Sequence, residues 1–170
     1  MAQPPIRPSR LRRQARLMRV INVPMRFLLR LPFPTPLSGQ LMLLSFTGRK
    51  TGKAYRQPVS YVPDGDTLLT PAGGKWKLNL REGQSIRIRL RGRDVPARPE
   101  FIRDVDEVER LLLRMMAVNP RVAAFVPVTG PDGRIDRGKV EAAVSYGFTI
   151  IRWHFDGPPA PQPRSGVPGR

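Results

Sequence analysis

The chain of 170 residues has no cysteine and one histidine, His154. A disulfide framework, a thiol nucleophile and a cysteine-ligated metal are thereby excluded, and one imidazole cannot build a histidine-based zinc site. Acidic residues are missing from a long opening stretch. The first, Asp64, follows twelve Lys and Arg, so residues 1–63 hold +12 of a formal net +17. No uninterrupted apolar run reaches the about 20 residues of a membrane-spanning helix, and no apolar core followed by small residues marks a secretory leader. Aromatics are sparse at 7%, and they do not accompany the arginines as stacking platforms for single-stranded nucleic acid require. Neither a Ser-His-Asp order nor a paired-carboxylate spacing is present. Any chemistry then rests with a bound cofactor that the protein orients and shields from water.

What remains is ample for one domain with a real core, since 40% of the residues are hydrophobic. The absence of cysteine suits a reducing cytoplasm, the expected location. With a sequence pI near 11.7, the concentrated positive field attracts phosphate-rich partners: anionic lipid head groups, nucleic acid or a polyanionic cofactor.

The stretch 41–66 organises the chain. Leu41 to Leu44 form an apolar run, and Tyr55, Val59, Tyr61 and Val62 resume a strand-like pattern after Thr47-Gly48-Arg49-Lys50-Thr51-Gly52-Lys53. That pattern is a β-hairpin with a cationic turn. Two glycines let the backbone bend and expose N–H groups, and Arg49, Lys50, Lys53 and Arg56 surround the same bend with charge. A P-loop is excluded, because three residues rather than four separate Gly48 from Gly52, Ala54 stands in place of the hydroxyl, and a strand rather than a helix follows. A second flexible basic bend, Pro71-Ala72-Gly73-Gly74-Lys75-Trp76, lies just downstream.

TGRKTGK after an apolar strand, Pro58, the Tyr-Val-x-Asp-Gly-Asp hairpin at 61–66, then Gly-Gly, a tryptophan and Asn79-Leu80 resemble the deazaflavin-dependent nitroreductase family. The likeness is good over 41–93 and weaker to about Phe155. It implies a flavin-reductase-like split β-barrel: mainly β with peripheral helices (α+β), about six mostly antiparallel strands, and a homodimer. It also implies an oxidoreductase that binds reduced coenzyme F-420, an 8-hydroxy-5-deazaflavin, and passes hydride to a quinone, nitroaromatic or other conjugated acceptor. FMN and haem, used elsewhere in the superfamily, stand as alternatives, as does a non-catalytic module binding anionic membrane or nucleic acid. By the family motif, Arg49, Lys50, Thr51, Gly52 and Lys53 fall at the coenzyme's anionic end and Ala72, Gly73, Gly74 and Lys75 along its backbone side, with Arg56, Pro58, Trp76 and Asn79 as further candidates. No catalytic residue and no metal ligand is implied. The chain departs from the family at Tyr55, where an arginine is common. Its bend after Gly74 is shorter, and Asn119, Val122 and Phe125 stand near where a tyrosine cluster serves nitroimidazole reduction.

Along the rest of the chain, Ser9 can cap a helix over about 10–23, with Pro24 opening a second piece to about Leu31. Arg12, Arg16, Arg19, Arg26 and Arg30 share one side, opposite Leu11, Met18, Ile21 and Leu28. The proline-rich 31–36 is an extended connector, so the domains read as 1–36, a barrel domain 37–155 and a disordered Pro/Gly tail 156–170. Strands are expected over 67–70 in a meander, 85–90, 95–102 as an edge or bulged strand because of Pro96 and Pro99, and 148–155. A helical turn is expected over 75–80, and helices over 105–118, capped by Asp104, and 137–145. Trp76 and Trp153 are expected to pack in the core or a lid, and His154 at the surface or core edge.

Besides a lesser alternative, an Arg-rich and acid-poor organellar presequence, two readings stand for the N-terminal helix: peripheral contact with an anionic membrane, at the inner face of the plasma membrane, or packing on the barrel with the arginines in water. Co-sedimentation with anionic liposomes separates them. Sedimentation of the full chain that is lost in a chain starting at Pro36 decides for the membrane, and equal sedimentation decides for packing.

Overall fold

The structure is a computed structural model that describes residues 41–157 apart from 125, 127 and 131. The expected N-terminal helix, the proline-rich connector and the tail beyond Gly157 lie outside the described residues. In chain order the elements are β1 (Leu41–Thr47), β2 (Ala54–Ser60), β3 (Val62–Asp64), β4 (Thr67–Ala72), a 3-10 turn (Lys75–Asn79), β5 (Ile86–Leu90), β6 (Arg93–Ile102), α1 (Val105–Val118), a second 3-10 turn (Pro120–Ala124), α2 (Arg137–Ser145) and β7 (Thr149–Phe155).

The seven strands form one antiparallel sheet in the order β2-β1-β5-β6-β7-β4-β3, curled into an α+β split barrel. Side-chain alternation divides the core into two layers. Met42, Leu44, Ile88, Ile151 and Trp153 fill the barrel interior. Leu69, Ile102 and Ile150 face the other way, against Leu111, Leu112 and Met115 of α1 and Val140 of α2. Asp104 starts α1 as expected, its Oδ1 accepting the Glu107 N–H at 2.9 Å. Trp153 is fully buried and donates its Nε1–H to Thr70 Oγ1 at 3.1 Å, which satisfies two polar groups inside the barrel.

Two expectations are corrected. The sheet has seven antiparallel strands, in line with the about six expected, but it is not a simple meander: β2 is one edge, and β3 and β4 join the opposite side through β7. Leu68, Leu69 and Thr70 are all buried, and a strand covered on both faces needs a neighbour on each side, which β3 and β7 supply. The second correction concerns β6, which is central and not an edge despite Pro96 and Pro99. Its first half, Arg93–Ala97, pairs with β5, and its second half, Ala97–Ile102, pairs with β7. The ladders overlap only at Ala97. Each proline therefore has an unladdered side on which its missing N–H breaks no bond.

The outer surface of β6 and β7 carries an ion network. Arg152 reaches Glu100 at 3.2 Å, Glu107 at 3.4 Å and Asp64 at 3.9 Å, joining β7 to β6, α1 and β3. His154 is at the surface, within 2.7 Å of Glu100. The Glu100 carboxyl is held below its ordinary 4.5 by the hydrogen bond from His154 first and by Arg152 as well, against the opposing effect of burial. Proton binding is thus weaker in the folded chain, so this stabilisation is present above pH 4.5 and is lost as pH falls through the lower folded value. Glu100→Gln is expected to lower the unfolding free energy at pH 7 by up to about 1 kcal/mol, because the pair is partly exposed and screened. Urea melts should show that gap closing below pH 4.5; a gap of constant size contradicts the assignment.

Candidate functional site

The register of β1 and β2 ends at Thr47↔Ala54, leaving Gly48–Lys53 as the hairpin tip. The tip closes on itself: the Gly48 N–H donates to the Lys53 carbonyl and the Gly52 N–H to the Gly48 carbonyl, both at 2.8 Å. Gly48 is required by close approach, since a Cβ there would lie 2.5 Å from the ring of Tyr55. That ring is held in turn by stacking on Phe46, with centroids 6.0 Å apart. Gly52 is required by backbone conformation, with φ at 64°. Arg49, Lys50 and Lys53 are left exposed, and none has an acidic partner among the described residues.

The second bend starts where β4 ends. Ala72 is buried in the barrel, so its side chain is unavailable to a ligand, whereas Gly73, Gly74 and Lys75 are exposed. A Cβ on Gly74 would lie 2.8 Å from Cδ1 of Trp76, whose ring packs against the barrel core. The 3-10 turn then carries the chain across the end of the barrel to Asn79. There the Asn79 Oδ1 accepts the backbone N–H of Arg49 at 3.1 Å, while its Nδ2 donates to the Trp76 carbonyl at 3.0 Å. One amide side chain thus ties the two bends together across 30 residues of sequence.

Two cavities adjoin this end of the molecule and divide the candidates. The first, about 850 Å³, lies against β1, β2 and β5 and is lined by Ser45, Thr47, Tyr55, Arg56, Arg87 and Arg89. Register sets Arg56 and Arg87 on either side of Ser45, and Arg89 pairs with Asp94 at 3.0 Å. Arg56 is therefore in a groove apart from the two bends. Pro58 lies in edge strand β2 opposite Leu43, where a missing N–H costs no sheet bond. The second cavity, about 620 Å³, has Gly73, Gly74 and Lys75 in its wall together with Leu78, Phe101, Arg103, Tyr146 and Phe148.

Sequence reading missed the residues that close this second cavity. Lys77 donates its Nζ to the Ala72 carbonyl at 2.8 Å and also to the Gly147 carbonyl, pinning the Gly-rich bend to the α2–β7 loop. Burial, and then the charge of Arg103, lowers its ammonium from 10.5. Arg103 stacks over Phe101 at 4.9 Å and faces Glu82 at 3.7 Å. No local pattern marks Arg103 or Tyr146, because β6 and the α2–β7 loop reach the bend only through the sheet.

These features define a split-barrel protein with two linked cationic bends and an adjoining part-apolar cavity. The family profile described as F420H(2)-dependent quinone reductase matches residues 14–130, and the chain belongs to that family. It is an oxidoreductase of the deazaflavin-dependent class, whose coenzyme is F-420. Family membership supports F-420 over the FMN and haem alternatives, and an oxidoreductase over the non-catalytic binding module. Among solved structures, the chain is similar to an F420-H2 dependent reductase, FDR-A, at 13% identity and a TM-score of 0.46, covering 68% of this chain and 94% of that one. It is also similar to a domain-swapped dimer at 13% identity, covering 87% and 100% with a TM-score of 0.46, and to a FAD-binding protein of Mesorhizobium loti at 12% identity, covering 69% and 82% with a TM-score of 0.42. No curated protein matches the sequence.

Asn79→Ala removes the acceptor that links the bends. Amide exchange at Arg49 is expected to rise up to about tenfold, matching the loss of one exposed hydrogen bond of about 0.5–1.5 kcal/mol, while amides of β7 keep their protection. Unchanged exchange at Arg49 would show that the tip is held by its own turn alone.

Proposed function

We propose that this reductase holds the anionic end of its deazaflavin at the joined bends and presents the coenzyme's ring along Gly73–Gly74 to a quinone, nitroaromatic or other conjugated acceptor. The observation that carries the reading is the Arg49–Asn79 hydrogen bond, which sets two flexible cationic bends side by side. The donor set suits such a group. Arg49, Lys50, Lys53 and Lys75 lack acidic partners among the described residues, and charge-assisted bonds from such groups suit phosphate and carboxylate oxygens.

When bound, the reduced deazaflavin supplies a hydride, and the acceptor takes a proton from solvent to complete a two-electron reduction. The protein's own work is positional. Thr51 and the turn N–H groups shape the tip, and Gly73 and Gly74 admit a ligand close to the backbone. Trp76 packs against Gly74, and Lys77 holds the bend through the Ala72 carbonyl. Arg56 reaches the coenzyme only by way of the neighbouring groove, which makes it the weakest member of the set. The assignment also includes two elements drawn from sequence and resemblance: peripheral attachment to an anionic membrane through residues 9–31, and pairing as a homodimer.

Reversing one charge at the tip tests the core of the reading. Lys50→Glu is expected to weaken F-420 binding by roughly 10- to 100-fold, as for the loss of a charge-assisted bond of about 1.5–3 kcal/mol, and to flatten its salt dependence. A fluorescence titration of the coenzyme measures both. An unchanged Kd in a variant with unchanged circular dichroism removes the hairpin from the site.

A further inference from the structure

The 620 Å³ cavity behind the Gly-rich bend falls within the about 300–1,000 Å³ of small-ligand sites. Phe101, Phe148, Tyr146, Leu78 and Leu80 supply its apolar part. Two of these are far more exposed than their chemistry favours: Tyr146 keeps 92% of its surface and Leu78 keeps 51%. Set into this apolar frame are Lys75, Lys77 and Arg103 against a single acid, Glu82. Lys77 is turned onto the Ala72 and Gly147 carbonyls, and Glu82 offsets Arg103 only from 3.7 Å. The cavity thus carries an excess of two positive charges at its rim, beside aromatic and aliphatic walls, with the backbone of Gly73 and Gly74 on one side.

We infer that this cavity is the acceptor site, and that it selects conjugated ring compounds bearing an anionic substituent, the ring lying between Leu78, Phe101 and Tyr146 and the anion meeting Arg103 and Lys75. Rings gain from the aromatic walls beyond mere area. An arginine already stacked on Phe101 is held in place, so less of its freedom is lost when it binds a sulfonate or carboxylate. The inference rests on the reading that the coenzyme's ring approaches Gly73–Gly74, because only then does a ring in this cavity lie beside the hydride donor. Reduction of a quinone there takes one hydride from the reduced coenzyme and one proton from solvent, yielding the hydroquinone and the oxidised coenzyme.

The test has two arms on the full-length protein. In the first, without coenzyme, 2-naphthalenesulfonate and the neutral 2-naphthol are titrated by calorimetry. The sulfonate is expected to bind about tenfold more tightly, and Arg103→Gln, which removes the guanidinium over Phe101, is expected to erase that preference while Arg103→Lys restores part of it. In the second arm, with reduced F-420, steady-state turnover is followed with two acceptors, 1,2-naphthoquinone-4-sulfonate and its neutral parent 1,2-naphthoquinone. Arg103→Gln should raise the ratio of the sulfonate's KM to the parent's about tenfold. Equal affinity for the two naphthalenes, or a KM ratio indifferent to Arg103, overturns the inference. Sulfonate preference without any coenzyme binding would leave the cavity as an anionic-ring site and overturn instead the placement of the coenzyme at the bends.

Discussion

The candidate site depends on a segment that crosses the end of the barrel. From Gly73 the chain leaves β4, turns through Lys75–Asn79 and delivers an amide side chain to the backbone of the β1–β2 tip. Both bends are glycine-bearing loops that carry like charges, and contacts to their backbone atoms oppose the repulsion between them. Asn79 at one end and Lys77 at the other act on backbone atoms, so they hold the segment without neutralising the exposed cations. The charge remains available for a ligand.

The sheet makes that crossing possible. Antiparallel pairing brings the end of β1, the start of β5, the second half of β6, the start of β7 and the end of β4 to one end of the barrel. The sharing of β6, half with β5 and half with β7, lets the curled sheet continue while leaving Pro96 and Pro99 unstrained. It also places Phe101 and Arg103 beside the Gly-rich bend, in the wall of the second cavity.

Charge is segregated in the same manner. Most of the ion pairs lie on β3, β6, β7 and the two helices, where Arg114, Arg137 and Arg152 meet Asp64, Asp106, Glu107 and Glu109. The β1–β2 hairpin contains no acid at all. Helix packing therefore consumes the acidic residues on one side of the molecule and leaves a cationic rim on the other, a distribution suited to an anionic coenzyme and, at the cavity, to an anionic acceptor.

Much of this was legible in the chain itself. Alternation in Ile86-Arg87-Ile88-Arg89-Leu90, the apolar stripe of Val108, Leu111, Leu112 and Met115, and the cap Asp104 act within a few residues, so local pattern was enough to place strands and helices. The glycines and cations of the two bends were visible for the same reason. Invisible were the seating of β4 beside β7, the central position of a strand with two prolines, and the convergence of Lys77, Arg103 and Tyr146. Those depend on which faces are buried against which partners across 30 to 80 residues, as when Trp153 finds Thr70. Sequence by itself determined the elements and the concentration of charge in the first third of the chain. Only the tertiary structure decided that the bends touch, that Arg56 lies in a separate groove, and that a cavity opens behind Gly74, because register and burial are long-range properties that no local spacing encodes.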